Sequence, residues 1–304
     1  MDAISRLLRM ARLKASLDQR CLLGPATGMD VRDYGELAAP FHVLLDGECT
    51  LAVAGTVLRM RPGDVVVLPS GAPHRIVTAG RGTPQATVEQ AGDAFVTARS
   101  DGAPFVDLFC GHYTFEAGPG ALLLRSLPPT IHVSFGQSAE RDDVLRMLST
   151  LMRGEAQREG DGTATILAAL STVLLAMVLR TTRGPATADT LWTAVDDQRI
   201  AGVIKDVLDD PGADWTVDRL SMRAAMSRAS FQRHFTRDTG TTVGAFLTRT
   251  RLMAAADLLT TTDATVATIA ARVGYRSESA FTRAFRAEFA TTPARLRRDG
   301  TGAA

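Results

Sequence analysis

Cysteine is scarce in this sequence of 304 residues. The three cysteines, Cys21, Cys49 and Cys110, include no Cys-x-x-Cys pair, which excludes a disulfide-stapled scaffold and a structural zinc finger. Residues 1–17 mix Asp, Arg and Lys with Ile and Leu, so the uninterrupted apolar core of a signal peptide is missing. These residues instead predict a short amphipathic helix, and a reducing cytoplasm is the expected location.

Long apolar runs are also absent. The longest one, Thr165–Leu179, is shorter than the roughly 20 residues that span a bilayer, and it contains Ser171 and Thr172. We therefore expect no membrane partner and interpret this segment as a buried interface helix. The chain is too long for one typical domain, so two domains of ordinary size are expected.

The whole chain lacks a large net charge, at +1, but its two parts carry opposite net charges. Residues 1–218 contain 20 basic and 27 acidic side chains, which gives a net charge of −7. Residues 219–304 contain 14 basic and 6 acidic side chains, which gives +8. This asymmetry indicates that the C-terminal part binds a polyanion such as double-stranded DNA.

Between residues 40 and 115, short apolar and β-branched runs alternate with turns that contain Gly and Pro. This pattern predicts an antiparallel barrel or sandwich. Residues 80–102 have little periodicity and predict a long loop. The predicted strands are Phe41–Leu45, Thr50–Val53, Val65–Leu68 and Phe105–Phe109.

Helical patterns replace the strands after Pro129. Residues 140–154 and 165–180 predict a helix pair that could close the barrel or form a dimer interface. The apolar face of the first helix is predicted to contain Val144, Leu145, Leu148 and Leu151. The segment at residues 181–188 consists mainly of small and polar residues, a composition typical of linkers. The predicted organisation is a sensor and dimerisation domain at residues 1–183, a linker at 184–195 and an all-α domain at 196–304.

The all-α part repeats one helical pattern. In residues 216–240, Ser227 is a predicted N-cap, and Phe231 and Phe235 are placed to pack inside the helix that follows. In residues 265–289, the equivalent residues are Ser277, Phe281 and Phe285, after a turn at Gly274. The apolar spacing of Val243–Leu259 predicts one rigid connecting helix, which would hold two recognition helices about one DNA turn apart.

These two units, with Ser-Arg-Ala-Ser-Phe-Gln-Arg-His-Phe in the first and Gly-Tyr-Arg-Ser-Glu-Ser-Ala-Phe in the second, resemble the AraC/XylS family of bacterial transcription regulators over residues 205–298. The resemblance implies sequence-specific DNA binding, RNA polymerase as a partner and no enzymatic activity. One departure is Ala225, where the family usually has Gly. The implied base-contacting residues are Arg228, Ala229, Gln232, Arg233, Glu278, Ser279, Thr282 and Arg283.

The N-terminal part contains the spacing Gly-x5-Pro-x-Gly-x2-His over residues 63–74. It resembles the second motif of cupins, and residues 41–49 resemble a degenerate first motif. The resemblance implies a cupin-type β-barrel that senses a small molecule or an oxidant. A signal in this barrel would change the pose or dimerisation of the helices between residues 140 and 180.

Two further interpretations concern the same domain. A divalent metal in the barrel, or a cupin metalloenzyme fused to a helical domain, would use His42, His74 and His112, with Cys110 as a possible fourth ligand. The first motif departs from this, because Pro40 and Leu44 flank His42 where a second His ligand is expected. The alternative to a metal site is that these histidines are buried and hydrogen-bonded. The second interpretation is a redox sensor at Cys21, Cys49 and Cys110, and its alternative is that these cysteines are inert buried thiols.

Overall fold

The computed structural model describes residues 3–80, 87–116, 120, 123–124, 127–135, 139–158, 160–181 and 197–301. The chain divides into two compact units, each of which makes its contacts mainly within itself. The sheet unit comprises Lys14–Thr114 and Pro128–Thr181, and the helical unit comprises Met1–Leu13, Phe115–Leu127 and Thr182–Ala304. The predicted linker at 184–195 lies outside the described residues, and the predicted domain boundaries stay predictions.

The sheet unit contains two β-sheets. The larger has the strand order β11-β6-β3-β10-β1-β9-β8, and the smaller has the order β2-β7-β4-β5. The four predicted strands correspond to β3, β4, β6 and β10. The bounds are β1 Lys14–Leu23, β2 Gly28–Val31, β3 Ala38–Asp46, β4 Cys49–Val53, β5 Thr56–Met60, β6 Asp64–Val67, β7 His74–Thr78, β8 Thr87–Ala91, β9 Val96–Ser100, β10 Val106–Thr114 and β11 Ile131–Ser134.

The predicted barrel or sandwich is present as two sheets, with no closed barrel among the described residues. Two expectations for this unit need correction. The strands are not all antiparallel, because β1 pairs with β9 in parallel. The loop predicted for residues 80–102 contains the antiparallel pair β8 and β9. β8 is an edge strand whose side chains are mostly exposed, so it lacks the apolar alternation that would predict it. The short N-terminal helix predicted within residues 1–17 is present as α1, Ala3–Met10, which belongs to the helical unit and ends before β1 begins at Lys14.

The main core of the sheet unit lies between the two sheets. Leu23 and Leu108 from the larger sheet are fully buried there with Leu51 and Ile76 from the smaller one. All three cysteines belong to the same buried cluster. Burial of such side chains stabilises the fold by about 1.5–3 kcal/mol each.

Helices α2, Ala139–Arg158, and α3, Thr163–Thr181, complete the sheet unit. α3 packs against β1, and the Tyr113 hydroxyl donates a hydrogen bond of 2.9 Å to the Ser171 carbonyl of α3. By length and composition, Thr163–Arg180 could cross a membrane, with a mean hydropathy of 1.9. That criterion is weak, because core helices also meet it, and Leu174 and Val178 are fully buried here.

The apolar face predicted for α2 is divided between two sides of the helix. Leu148 is buried as expected, but Val144 and Leu151 are exposed, and the side chain of Leu145 lies outside the described residues. Together with Met147, these two exposed side chains form an apolar stripe along α2. A helix in water normally covers such a stripe.

The described part of the helical unit is all-α apart from its loops. Two helix pairs, α5–α6 and α8–α9, are joined by α7, whose 19 residues span about 28 Å at 1.5 Å per residue. α1 packs against α4 and α7. The remaining bounds are α4 Gln198–Asp209, α5 Val217–Arg223, α6 Arg228–Thr239, α7 Val243–Thr261, α8 Val266–Arg272, α9 Glu278–Phe289 and α10 Pro293–Thr301.

Candidate DNA-binding surface and thiol cluster

Helix α6 presents the first group of predicted base-contacting residues. The Ser227 hydroxyl caps the helix by accepting a hydrogen bond of 3.3 Å from the Ser230 N–H. Phe231 and Phe235 are fully buried, with ring centroids 5.6 Å apart. These contacts fix the rotation of α6 and leave the opposite face in solvent. The exposed residues on its first two turns are Arg228, Ala229, Gln232 and Arg233.

Helix α9 is built in the same way. The Ser277 hydroxyl accepts a hydrogen bond of 3.2 Å from the Ala280 N–H, while Phe281 and Phe285 are fully buried with centroids 5.5 Å apart. The equivalent surface residues are exposed except for Thr282, which is partly buried. They are Glu278, Ser279, Thr282 and Arg283.

The contacts of the arginine side chains distinguish arginines that are available at the surface from arginines that bind other parts of the protein. Arg228 lies 3.3 Å from the Asp218 carboxylate. Because both side chains are exposed, replacing Asp218 with another anion as the partner of Arg228 costs little free energy. Arg233 and Arg283 form no ion pair within the described residues. By contrast, other arginines form contacts within the protein: Arg249 pairs with Glu288, and Arg251 and Arg297 donate hydrogen bonds to backbone carbonyls.

The thiol cluster lies inside the sheet unit. The Sγ atoms of Cys21 on β1 and Cys110 on β10 are 3.7 Å apart. His42 Nδ1 is 3.1 Å from Cys110 Sγ, and His42 Nε2 is 2.7 Å from His74 Nε2. Cys49 belongs to the same core but has no thiol contact of this kind among the described residues.

The hydrogen-bond chain assigns the imidazole tautomers. His74 Nδ1 lies 2.9 Å from the Ala72 carbonyl, which can only accept, so that nitrogen donates. His74 Nε2 therefore accepts from His42 Nε2, and His42 Nδ1 in turn accepts from the Cys110 thiol. The arrangement satisfies both buried rings in their neutral form.

Comparison with known proteins identifies the two parts of the chain. A family profile described as "Cupin" matches residues 2–183, more than half of the chain. A profile described as "Helix-turn-helix domain" matches residues 220–299. The chain is a cupin-domain transcription regulator of the AraC family.

Relatives of this regulator match along its whole length. The HTH-type transcriptional regulator MtrA of Neisseria gonorrhoeae is 28% identical over 99% of both chains. The RCS-specific HTH-type transcriptional activator RclR of Escherichia coli is 29% identical over 98% of this chain and 97% of its own. An HTH-type transcriptional regulator of Haemophilus influenzae is 28% identical over 98% and 99%. The regulator therefore binds DNA to control transcription, as the tandem motif predicted.

Among the described residues, the predicted metal ligands are not all brought together. His42, His74 and Cys110 come together, but His112 bonds Asp18 through Nδ1 at 2.6 Å instead. Within the described residues, no group of three or more His, Cys, Asp or Glu side chains is arranged to hold a metal ion. The close contact between His42 and His74 is a hydrogen bond, which leaves no space for an ion between these two nitrogens.

Burial controls the protonation of the cluster. Desolvation, followed by the nearby His74, lowers the pKa of His42 to about 3. The hydrogen bond between Cys110 and Cys21 and the burial of the site raise the pKa of the Cys110 thiol well above its usual range. Burial also raises the pKa of Cys49 to about 12. Cys49 and Cys110 of the regulator are therefore neutral thiols at pH 7.

Sequence reasoning missed two residues beside the cluster. Asp18 raises the pKa of His112 by accepting its hydrogen bond, and Tyr34 lies with its ring centroid 5.6 Å from that of His112. Burial, assisted by Asp18, raises the pKa of Tyr34 to about 12. No local motif marks Asp18 or Tyr34, because only the register of β1 against β10 places Asp18 beside His112.

Proposed function

We propose that the regulator reads a specific DNA sequence with the first two turns of α6 and α9. The observation that carries this proposal is the matched construction of the two helices, each with a serine cap, two buried phenylalanines and exposed donors. A helix with this geometry presents side chains to base edges in the major groove. The net charge of +8 in residues 219–304 favours the phosphate contacts that position it.

A mobility-shift titration tests this assignment after a binding site has been selected from genomic DNA. Arg283→Ala should lose about 1–3 kcal/mol of binding and relax the preference at one base position. Arg286→Ala is the matched control, because Arg286 is exposed on the same helix but lies beyond the first two turns. Equal effects of the two substitutions on affinity and base preference would contradict the proposal.

The same proposal includes a homodimer, with the apolar stripe of α2 as part of its interface. Val144, Met147 and Leu151 are 52%, 63% and 54% exposed, and α3 exposes Ile166 and Val173. Large side chains of this kind favour burial against a partner. Light scattering should show a dimer that Met147→Glu dissociates, whereas Val57→Glu, at an exposed position on β5, should leave it intact.

A second candidate function is oxidant sensing by the Cys21 and Cys110 pair. The separation of 3.7 Å between the two sulfur atoms favours it. A peroxide would oxidise one thiol to a sulfenic acid, releasing the reduced peroxide, and the second thiol would displace water to form the disulfide. The two cysteines are diagonal neighbours on antiparallel strands, since Cys110 pairs with Gln19, so the bond requires β1 and β10 to shift.

Cys49 provides the matched control for this candidate. Peptide mapping without reductant should show a Cys21–Cys110 disulfide in wild type and in Cys49→Ser after oxidation. The same treatment should change DNA binding in both proteins but not in Cys21→Ser. An oxidant response that survives Cys21→Ser would contradict the role of this pair.

The remaining parts of the proposal follow from the relatives. All three are named as transcription regulators, which favours a cytoplasmic regulator over a cupin enzyme. The name of RclR as an activator favours activation, with RNA polymerase as the partner at the promoter. In vitro transcription from the selected site should rise when the regulator is added. A fall would support repression instead.

A further inference from the structure

A cavity of about 280 Å³ lies within the helical unit, away from the residues proposed to read DNA. It lies among α1, the loop after α4, α7 and the end of α8. The residues that matter for its chemistry are Arg9, Asp209, Gly212, Thr250, Asp257 and Arg272. Its volume is slightly below the range of roughly 300–1,000 Å³ that holds drug-sized molecules, and it suits a smaller metabolite.

The wall formed by the loop after α4 is held in place. Arg251 donates hydrogen bonds of 3.0 Å to the carbonyls of both Pro211 and Ala213. Gly212, between them, approaches the Arg272 carbonyl so closely that a Cβ atom would clash with it. A wall fixed in this way is preformed, which lowers the entropic cost of binding a ligand.

The cavity is lined by charges of both signs. Arg9 and Arg272 form no ion pair within the described residues, and neither does the half-buried carboxylate of Asp257. Asp209 is different, because Lys205 neutralises it at 2.6 Å. Burial raises the pKa of Asp257, although Arg12 and Arg9 act to lower it. One anionic and two cationic groups therefore border the space, and Arg9 and Arg12 lie near enough to Asp257 to act on the pKa of its carboxylate.

Thr250 adds an unsatisfied polar group to the same wall. The residue is 1% exposed, and its hydroxyl oxygen has no hydrogen-bond partner in the described part of the chain. A buried hydroxyl without a partner destabilises the folded protein, because it has lost its hydrogen bonds to water. A ligand that hydrogen-bonded to it would recover part of that free energy.

We propose that this cavity binds a small zwitterion of the α-amino acid class. The ligand's ammonium group would lie against Asp257 and its carboxylate against Arg9 and Arg272, with Thr250 as an additional hydrogen-bond partner. A simple anion would meet the Asp257 carboxylate, and a simple cation would meet two guanidinium groups. The cavity borders Arg272 and Val273 at the end of α8, so the ligand contacts the second helix-turn-helix unit directly.

Isothermal titration calorimetry of the full-length reduced protein tests the proposal. Each of the twenty proteinogenic L-amino acids is titrated separately, with acetate and methylammonium as probes that carry only one charge. At least one amino acid should bind with 1:1 stoichiometry and a Kd below 1 mM, roughly −4 kcal/mol, and the single-charge probes should not. Asp257→Asn should weaken that binding at least about tenfold, because it removes an ion pair.

Matched variants locate the site. Asp263→Asn, at an exposed position just after α7, should leave the Kd unchanged. Thr250→Ser keeps the hydroxyl and should bind within about twofold of wild type, whereas Thr250→Val should bind more weakly. If Asp257→Asn does not fold, Arg9→Gln at an exposed position provides the same test. Absence of binding by every amino acid, or binding unchanged by both Asp257→Asn and Arg9→Gln, would overturn the proposal.

Discussion

Ala225 and Gly274 occupy equivalent turns in the two helix-turn-helix units, and both adopt positive φ angles, of 51° and 87°. In each unit the residue follows the first helix and precedes the capping serine of the recognition helix by two or three positions. Glycine adopts this conformation freely, whereas the Cβ atom of alanine is strained in it. The first turn therefore stores strain that the second one avoids.

This difference predicts opposite effects of two reciprocal substitutions. Ala225→Gly should raise the free energy of unfolding by about 0.5–1 kcal/mol, because it removes that strain. Gly274→Ala should lower it by at least about 1 kcal/mol, since a Cβ atom there would meet Arg251 and the Gly212 carbonyl at 3.0 Å. Urea denaturation measures both values. Stabilisation by Gly274→Ala would contradict this account.

The capping serines should contribute separately to stability. Ser227→Ala and Ser277→Ala should each cost about 1 kcal/mol, because each leaves one N–H group of the first helical turn without its partner. Ser279→Ala is a suitable control, since this exposed side chain follows the cap on the same helix. Thermal unfolding of the three variants compares the effects, and equal melting temperatures for all three would exclude a capping role.

Acid should destabilise the sheet unit through its buried imidazoles. His42 has a folded pKa of about 3, far below its unfolded value of 6.5, and burial lowers the pKa of His74 as well. Between pH 6.5 and 3 the unfolded chain binds more protons, so stability falls as pH falls. For His42 alone, the free energy of unfolding should fall by up to about 1.4 kcal/mol for each pH unit in this range.

A substitution isolates this contribution from that of the carboxylates. His42→Gln removes one of the buried imidazoles, so its unfolding free energy should depend less steeply on pH between 6 and 4 than that of wild type. Denaturant titrations at several pH values give both slopes. Identical slopes would show that His42 does not remain neutral in the folded protein.

Disulfide formation at Cys21 and Cys110 should be slow at neutral pH. Because the pKa of Cys110 is raised, the reactive thiolate is scarce, and its amount should grow about tenfold per pH unit below that pKa. The rate with hydrogen peroxide should therefore increase between pH 7 and 9, in wild type and in Cys49→Ser alike. A rate independent of pH would contradict oxidation through a buried, neutral thiol.

The sequence predicted those elements whose pattern is local. β3, β4 and β6 are apolar runs that end at glycine or proline turns, and the cores of α6 and α9 follow from phenylalanines four residues apart. The spacing from Gly63 to His74 supported the resemblance to cupins, and in the fold β7 begins at His74. These features depend on neighbours in sequence and so can be recognised without the fold.

Other features depend on pairing between distant segments. A shift in register between Leu17 and Gln19 of β1 sets which side chains of β1 and β10 meet. That register brings Cys21 to Cys110 and Asp18 to His112, and nothing in the local sequence specifies it. β8 and β9 escaped prediction for a related reason: an edge hairpin needs little apolar pattern when its partner strand, β1, supplies the hydrogen bonds.

The central claim is that two helices read two separate parts of one DNA site. Selection of binding sites from a random DNA pool, carried out in parallel with wild type, Arg233→Ala and Arg283→Ala, tests it directly. Each substitution should relax the preference at a different position, and the two positions should lie about one helical turn, roughly 10 base pairs, apart. Unchanged preferences in both variants, or loss at the same position in both, would contradict the claim.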